Sequence, residues 1–338
     1  MHVVVTGGLG YIGSHCCVEL ALAGHRLRIV DSLVNAKPSA LARIRELAPG
    51  AAIEFVQADT RDAAAMERVF AGAGAGAVLH FAGLKAVGES VADPARYYDF
   101  NVRGTQVLLA AMERHGVERF VFSSSATVYG VPEFLPYTER HRLQPMNPYG
   151  ETKLAVERVL QQRAAARPSF LFAALRYFNP IGAHPSGRIG EDPRGTPENL
   201  LPYLSRVALG RMPRLRVFGG DYDTADGTGV RDYIHVMDLA AGHLAALRHL
   251  DEKRRSITAN LGAGRGYSVL EVIAAFEKAA GRKLPYEVVA RRPGDLPAYW
   301  ADASLAAREL GWTARLGIED MCRDAWRWQS DNPEGYPD

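Results

Sequence analysis

Short apolar runs alternate with amphipathic stretches through the first 178 residues of the chain, and this alternation limits the fold more than any other feature. A strand that is followed by a helix and then by another strand favours parallel pairing, because parallel neighbours need a crossover connection. The sequence therefore predicts a Rossmann-type, doubly wound α/β fold, with a mostly parallel sheet and helices on both faces. Strands are predicted at residues 3–5, 26–31, 53–57, 77–81, 119–123 and 170–176, and helices at residues 11–23, 63–70, 96–115 and 151–166.

The second half of the chain has a different texture. Glycine, proline and short polar segments dominate residues 179–228, and irregular backbone of this kind usually builds a site on a rigid scaffold. Helices are predicted at residues 236–250 and 269–280, with a strand at 257–261 between them. We expect two domains, because 338 residues exceed one minimal core. The first comprises residues 1–178, with 231–261 returning to it, and the second, a smaller and irregular α/β domain, comprises 179–230 and 262–338.

The composition disfavours several classes of protein. The formal net charge of +2 is too small to predict a nucleic-acid partner. No apolar run approaches the length of a membrane span, and the first residues lack the pattern of a signal peptide. The three cysteines, Cys16, Cys17 and Cys322, form neither a disulfide framework nor a zinc pattern. We expect a cytoplasmic protein with no metal ion and no membrane partner.

A glycine-rich turn joins the first predicted strand to the first predicted helix. Gly7, Gly10 and Gly13 follow the strand directly and lead into the helix. Glycines permit a tight turn and a close approach of the backbone to a pyrophosphate, while the N-terminus of the helix supplies free N–H groups. Because a strand precedes the turn and a helix follows it, the pattern predicts a dinucleotide site in the first domain.

Acidic and small residues at the ends of later strands support the same site. Asp31 ends the second predicted strand, where a carboxylate accepts hydrogen bonds from ribose hydroxyls and repels a 2′-phosphate. This favours NAD over NADP. Asp59 follows the third strand, where it can accept from the adenine amino group, and Gly83 and Lys85 follow the fourth.

A tyrosine, a lysine and a serine predict proton transfer next to this cofactor. Tyr149 and Lys153 are four residues apart on a predicted helix and therefore share a face. A phenol has a pKa of about 10, and a nearby ammonium group together with the positive nicotinamide ring would lower it. Ser125 follows the fifth strand and can both donate and accept a proton. These residues suit removal of a proton from a hydroxyl while hydride leaves carbon.

Four longer segments have more specific patterns: FAGLKAVGES at 81–90, RYFNP at 176–180, GVRDYIHV at 229–236 and RPGDLPAYW at 292–300. Together with the glycine turn and the tyrosine–lysine pair, they resemble the UDP-glucose (UDP-galactose) 4-epimerase family of the extended short-chain dehydrogenases/reductases. The resemblance extends over essentially the whole chain.

The resemblance implies an isomerase of galactose and carbohydrate metabolism that interconverts UDP-galactose and UDP-glucose. In this family NAD stays bound, the residue matching Tyr149 takes the proton of the sugar 4-hydroxyl, and C4 gives its hydride to NAD. The 4-keto sugar rotates within the site and is reduced from its other face. Ser125 is implied to assist proton transfer, and Lys153 to hold the nicotinamide ribose.

The resemblance also implies the residues around both ligands. Those expected at NAD are Gly7, Gly10, Tyr11, Ile12, Gly13, Asp31, Asn35, Asp59, Thr60, Phe81, Ala82, Gly83, Lys85, Asn101, Ser123, Tyr149, Lys153, Tyr177 and Phe178. Those expected at the UDP-sugar are Ser125, Ala126, Thr127, Tyr149, Asn179, Asn199, Leu200, Arg216, Val217, Phe218, Arg231, Tyr233, Arg292, Asp295 and Tyr299.

Several of the substrate residues have implied roles. Arg231 and Arg292 are expected at the diphosphate, which suits the fork of a guanidinium group. Phe218 is expected along the uracil, and Asp295 at the uridine ribose. A bulky residue such as Tyr299 is associated in this family with exclusion of N-acetylated sugars. The family is typically a homodimer, and its contact would lie on the helices predicted at 96–115 and 151–166.

The same residues disfavour other activities of this fold. A 4,6-dehydratase carries an acidic pair after the position of Thr127, where this chain has Val128 and Tyr129. A noncatalytic dinucleotide sensor is disfavoured because Tyr149 and Lys153 are both present, and an NADP-linked reductase is disfavoured by Asp31. A UDP-glucuronate decarboxylase or epimerase stays open as the alternative, because recognition of a sugar carboxylate leaves no clear sequence pattern.

Overall fold

A seven-stranded parallel sheet forms the centre of the molecule, for which the computed structural model describes residues 1–193, 197, 199–292 and 294–337. The strands of these residues are β1 (His2–Thr6), β2 (Arg26–Asp31), β3 (Ile53–Gln57), β4 (Ala77–His80), β5 (Arg119–Ser125), β6 (Leu171–Tyr177), β7 (Asn179–Ile181), β8 (Leu215–Phe218), β9 (Val230–His235), β10 (Ile257–Leu261), β11 (Gly266–Ser268), β12 (Tyr286–Val289) and β13 (Ala298–Tyr299).

The helices flank this sheet and form much of the second half of the chain. They are α1 (Tyr11–Leu22), α2 (Ser39–Leu47), α3 (Ala63–Phe70), α4 (Val87–Ala92), α5 (Pro94–Tyr97), α6 (Gly104–Arg114), α7 (Pro148–Ala166), α8 (Leu200–Ala208), α9 (Val236–Glu252), α10 (Val269–Ala280), α11 (Ser304–Leu310) and α12 (Ile318–Asp331). A π-helical turn spans Tyr98–Arg103 and a 3₁₀ turn spans Ala126–Val128. No helix of the described residues is long and apolar enough to cross a membrane.

The large sheet has the strand order β10-β6-β5-β4-β1-β2-β3, and all its pairs are parallel. Its strands are apolar because both faces are covered by helices: Val3, Val4 and Val5 of β1 are all fully buried. From β1 the chain moves outward to β3 and then returns to β4 on the other side of β1. Ligands of doubly wound sheets bind at such a reversal, at the carboxyl ends of the strands. The predicted fold class is confirmed.

The second half of the chain builds two smaller sheets. One has the order β11-β9-β13, with β7 also paired to β9, and the other pairs β12 with β8. Of the residues 231–261 that the sequence assigns to the first domain, β10 lies in the large sheet and α9 contacts β5, β6 and α1. β9, in contrast, lies in the small sheet. The division into two domains with these bounds stays a prediction.

The segment predicted as a helix at 96–115 is helical in the structure from 94 to 114, but it contains a π-helical turn that the sequence did not indicate. The structure has α5, the π-helical turn Tyr98–Arg103 and α6 in its place. α5 begins earlier, at Pro94, because the Asp93 side chain accepts a hydrogen bond from the Arg96 N–H. The π turn adds one residue per turn, and apolar periodicity cannot reveal this addition. Most other predicted elements agree with the structure within two residues, whereas α7 begins at Pro148, three residues before the predicted start at 151, because the Asn147 side chain caps it there.

Removing buried volume from the sheet is expected to destabilise the protein strongly. Leu79 on β4 is fully buried, so Leu79→Ala should lower the free energy of unfolding by about 2–5 kcal/mol. The matched control is Leu22→Ala at the end of α1, where the side chain is 61% exposed, and its effect should be close to zero. Urea unfolding at a fixed NAD concentration measures both. Equal losses in the two variants would contradict this account of the core.

Candidate active site

Gly7 and Gly13 of the turn after β1 have no room for a side chain. Gly7 has a φ of +69°, which favours glycine, and a Cβ there would lie 2.5 Å from the backbone nitrogen of Ala82. A Cβ on Gly13 would overlap the Gly7 carbonyl oxygen. α1 begins next to this turn, and its N-cap residue Gly10 supplies no side-chain acceptor for the first N–H groups of the helix. The turn thus has the form of a pyrophosphate cradle.

Asp31 is buried at the end of β2, beside the same turn. Its carboxylate accepts hydrogen bonds from the Leu9 N–H at 3.1 Å and from the Leu33 N–H at 2.9 Å. Burial raises the pKa of Asp31, and these two hydrogen bonds act in the opposite direction. Each oxygen keeps a further lone pair for a ribose hydroxyl. These free acceptor sites suit the ribose hydroxyls of NAD, and Asp31 also holds the turn in shape by accepting from Leu9.

The loop after β4 covers the turn from the other side. The N–H groups of Phe81 and Ala82 both donate to the Thr6 carbonyl, at 2.8 and 3.1 Å. Gly83 lies against Asn101, since a Cβ there would be 2.9 Å from the Asn101 Oδ1. At the α1 end of the turn, Ile12 packs on the core and the Tyr11 hydroxyl donates to the Gly182 carbonyl at 2.7 Å.

Asn101 contacts both the loop after β4 and the helix α7. Its Oδ1 accepts from the Leu84 N–H at 2.8 Å, while its Nδ2 donates to the Leu84 carbonyl and to the Thr152 hydroxyl, both at 3.0 Å. Both amide hydrogens are therefore used within the protein. The π-helical turn gives Asn101 this reach, and π turns are frequent at functional sites.

The residues predicted at the adenosine end of NAD lie farther from one another than those around the glycine turn. The Asp59 carboxylate is bound by the Arg61 guanidinium at 2.7 Å, which holds the pKa of Asp59 below its usual range. Arg61 also lies over the Phe100 ring, 3.5 Å from its centroid. Thr60 is buried beside Asp59, whereas Asn35 is exposed. An adenine amino group would share Asp59 with Arg61.

Tyr149, Lys153 and Ser125 meet at the carboxyl edge of the sheet. The Lys153 Nζ donates to the Ser123 carbonyl at 2.8 Å, and the Tyr149 hydroxyl is hydrogen-bonded to Ser125. Ser125 Oγ also accepts from the Thr127 hydroxyl at 3.0 Å and from the Thr127 N–H at 3.3 Å. Ala126 and Thr127 form the 3₁₀ turn that follows β5. The structure thus brings the three predicted catalytic side chains together.

Burial shifts the pKa values of both Tyr149 and Lys153. Burial raises the pKa of Tyr149 to about 12, with the Ser125 hydrogen bond acting against it, and burial lowers the pKa of Lys153 to about 8. The Lys153 Nζ is 5.7 Å from the Tyr149 ring centroid and is directed to a carbonyl. The predicted lowering of the Tyr149 pKa, which depends on bound NAD as well as on Lys153, stays a prediction. A positive nicotinamide ring would act in the lowering direction.

Aromatic side chains at the end of β6 border the same edge. The Tyr177 hydroxyl donates to the Ser123 Oγ, and Tyr177 is buried. The Phe178 ring lies 6.1 Å from the Tyr299 ring, centroid to centroid. Because Tyr299 belongs to the second half of the chain, this contact joins the cofactor residues to the predicted substrate residues.

The predicted substrate residues form a cluster of guanidinium groups and aromatic rings. The Phe218 ring has Arg292 4.9 Å from its centroid and Arg216 5.3 Å from it. Arg231 lies 4.6 Å from the Tyr299 ring centroid. The Asp295 carboxylate accepts from Arg292 at 2.9 Å and forms a longer ion pair with Arg231, at 3.8 Å.

Strand pairing places the sugar-side residues. Asn179 of β7 is opposite Tyr233 of β9, and its Oδ1 accepts from the Tyr299 hydroxyl at 3.2 Å. Tyr233 is buried, which raises its pKa. Val217 is also buried, and its side chain packs in the core of the second half of the chain. The predicted contact of Val217 with the UDP-sugar stays a prediction.

Glu191 is a residue of the site that the sequence analysis missed. Its carboxylate accepts from the Lys85 Nζ at 3.0 Å and from the Asn199 Nδ2 at 2.7 Å. Asn199 precedes Leu200, the first residue of α8. The contact joins the loop after β4 to the second half of the chain. Pro293, in the segment that contains Arg292 and Asp295, lies outside the described residues.

Two further carboxylates had no clear sequence signal. Asp232 is fully buried beside Arg231 and accepts backbone N–H bonds from Ala263, Gly264 and Ala301, at 2.8–3.1 Å. Burial raises its pKa to about 6. Glu157 on α7 is also fully buried. Asp232 falls in a segment that the sequence analysis singled out, but its role as an anchor depends on contacts distant in sequence.

Comparisons with known proteins agree with this geometry. Residues 3–262 match the model of the NAD dependent epimerase/dehydratase family. The chain belongs to this family. The UDP-glucose 4-epimerase of Bacillus subtilis (strain 168) is 54% identical over 336 residues, 99% of each chain. These matches confirm the family resemblance inferred from the sequence and, with the family's description, the predicted dependence on NAD.

Solved structures of family members have the same architecture. A UDP-glucose-4-epimerase from Stenotrophomonas maltophila, with bound NAD and formylated UDP-arabinopyranose, superimposes with a TM-score of 0.96 at 54% identity and covers 98% of both chains. One from Bifidobacterium longum, in complex with NAD+ and UDP, gives 0.95 at 51% identity and covers 99% of this chain and all of that one. The family fold thus includes both halves of the chain.

A methyl group added inside the glycine turn is expected to abolish cofactor retention. In Gly13→Ala the new Cβ would overlap the Gly7 carbonyl, so the turn must open and its N–H groups move away from a pyrophosphate. NAD released by denaturing purified protein should fall at least about tenfold, which corresponds to about 1.4 kcal/mol. Gly88→Ala is the control, because nothing lies within 4 Å of a Cβ there. Retention of NAD at the wild-type level in Gly13→Ala would contradict the cradle.

Proposed function

We propose that the chain is an isomerase that interconverts UDP-galactose and UDP-glucose. The observation that carries this is the placement of Tyr149, Ser125 and Lys153 at the edge of the sheet beside the dinucleotide cradle, with the guanidinium and aromatic cluster opposite. Relatives 54% identical over essentially the whole chain have the name UDP-glucose 4-epimerase, which supports the same reaction.

The protein supplies the base and the positioning. Tyr149 takes the proton of the sugar 4-hydroxyl and later returns it. Ser125 orients the Tyr149 hydroxyl through the hydrogen bond between the two side chains. The Ser123 carbonyl accepts a hydrogen bond from Lys153, which would hold the nicotinamide ribose. Bound NAD would supply a hydride acceptor and donor at sugar C4. The cradle of Gly7 and Gly13, with Asp31 beside it, would hold that cofactor through the cycle.

The substrate diphosphate would meet Arg231 and Arg292. Both guanidinium groups are now paired with Asp295, and an anionic diphosphate would compete with this single carboxylate for two cations. Phe218 offers a ring for the uracil, and Asn179 an amide for the sugar. The remaining predicted contacts of NAD and of the UDP-sugar are part of the same proposal.

We also propose a cytoplasmic homodimer. Val87 and Val91 of α4 and Tyr98 of the π turn are exposed apolar side chains, and α4 and α5 pack against α7. This surface suits contact with a second copy, since exposed apolar patches mark interfaces. The three cysteines are all buried and unpaired, which suits a reducing compartment.

Epimerisation with resident cofactor is the direct test. Purified protein given UDP-galactose, with no added NAD, should produce UDP-glucose until a steady mixture is reached, as followed by the anomeric proton signals in NMR. Tyr149→Phe removes the base and should reduce the rate by about 10²–10⁴-fold. No turnover by the wild type even after NAD is added would overturn the assignment. UDP-glucuronate would then be tested for loss of carbon dioxide or epimerisation.

Tyr299 is expected to set the size of the sugar pocket. Its hydroxyl donates to Asn179 and its ring fills the space under Arg231, so Tyr299→Cys should open room for an N-acetyl group. Activity on UDP-N-acetylgalactosamine should then rise at least about tenfold relative to UDP-galactose. Tyr299→Phe keeps the ring and should not admit the larger sugar. Equal gains in both variants would mean that the hydroxyl, not the volume, is the barrier.

A further inference from the structure

Glu157 continues the face of α7 that carries the two catalytic side chains. Tyr149, Lys153 and Glu157 follow at intervals of four residues, and residues so spaced share one face of a helix. The Glu157 side chain is fully buried, and the side chain of its ion-pair partner, Arg176, is 2% exposed. The Glu157–Arg176 ion pair is therefore buried, and Glu157 lies one helical turn from Lys153.

The Glu157 carboxylate is bound from two strands of the sheet. Arg176 donates to both of its oxygens, from Nε at 2.9 Å and from Nη2 at 2.5 Å. The Ser124 hydroxyl donates to Oε1 at 2.5 Å. Ser124 of β5 and Arg176 of β6 are register partners, so one carboxylate fixes α7 against two adjacent strands. We call Ser124, Glu157 and Arg176 the clamp.

The clamp also reaches the turn that follows β5. Arg176 Nη1 donates to the Tyr129 hydroxyl at 3.2 Å, and its guanidinium lies 5.0 Å from the Tyr129 ring centroid. The Tyr129 hydroxyl donates in turn to Asn260 Oδ1 at 2.5 Å. Because Tyr129 directly follows the 3₁₀ turn Ala126–Val128, the clamp is continuous with the backbone that carries Ser125.

The catalytic contacts lie on the same two elements that the clamp joins. Tyr149 and Lys153 are on α7, while Ser123 and Ser125, which they contact, flank Ser124 on β5. A slide or rotation of α7 along β5 would break both contacts at once. Buried ion pairs usually stabilise a fold no better than apolar residues of similar size, so stability alone does not explain a charged clamp here.

We propose that Glu157 and Arg176 are positioning residues for proton transfer, which fix α7 so that Tyr149 reaches Ser125. This rests on the proposed function only for the step that Tyr149 performs. Loss of the clamp lowers kcat by about tenfold to 10²-fold, the effect of misplacing a reacting group by about 1 Å, while KM for the UDP-sugar and the NAD content stay near wild type. The pKa of Tyr149 rises, because its hydrogen bond to Ser125 is lost.

The test compares Glu157→Gln with a triple variant, Ser124→Ala/Glu157→Leu/Arg176→Met, in NAD-loaded protein. The triple variant replaces every polar member of the clamp and leaves the Tyr129 hydroxyl bonded to Asn260. Glu113→Gln is the matched control. It breaks an ion pair at the protein surface between Glu113 of α6 and Arg163 of α7, the helix that also carries Glu157. Each protein is measured for kcat, KM, NAD content and melting temperature. The pKa of Tyr149 is measured by pH titration of the phenolate absorbance. The signal of Tyr149 is the part that disappears when Tyr149→Phe is added to the same protein.

The expected result is a reduced kcat and a raised Tyr149 pKa in both clamp variants, with no change in Glu113→Gln. In Glu157→Gln the direction of the change in the Tyr149 pKa is informative. Removing a negative charge would by itself lower this pKa, so a rise reports the lost position of Tyr149 and not the lost charge. A triple variant that melts at or above the wild-type temperature, with wild-type kcat and Tyr149 pKa, would overturn the proposal. The Tyr149 titration needs no sugar, so it judges the clamp even if the wild type fails to epimerise UDP-galactose.

Discussion

The parallel hydrogen-bonded ladder of the large sheet is the constraint on which the rest of the structure depends. Parallel pairing forces every strand to run the same way, so the carboxyl ends of β1, β2, β4, β5 and β6 all lie at one edge. Each end delivers one part of the site to that edge: the glycine turn, Asp31, the loop that begins at Phe81, the three serines and Tyr177. Residues far apart in sequence are thus gathered by strand direction alone.

Residues whose roles follow from local sequence were predictable, and residues whose roles depend on distant partners were not. Gly7 and Gly13 predict a tight turn, and the spacing of Tyr149 and Lys153 places them on one face of a helix. The raised pKa of Tyr149, in contrast, comes from burial that only the packed structure defines. Glu191 lies 106 residues beyond Lys85, and no local pattern connects the two.

The two halves of the site treat charge differently. Around Tyr149 and Lys153 the protein excludes water, and both pKa values move toward the uncharged forms. Around Phe218 and Tyr299 guanidinium groups remain near the surface over aromatic rings, where cations keep part of their hydration. A sugar nucleotide bound across both halves would present its charged end to the cations and its reacting carbon to the dry region.

The π-helical turn Tyr98–Arg103 has a consequence for the length of the chain. Apolar periodicity indicates an unbroken helix here, and deleting one residue from the turn would restore it. The same deletion would leave the helical turns on either side in their orientation but would remove the extra residue of the turn, so the side chains within it, Asn101 among them, would be displaced. Asn101 could then not hold Leu84 and Thr152 together. A single lost codon in this segment would thus separate the cofactor loop from the catalytic helix, although every residue that touches a ligand would remain encoded.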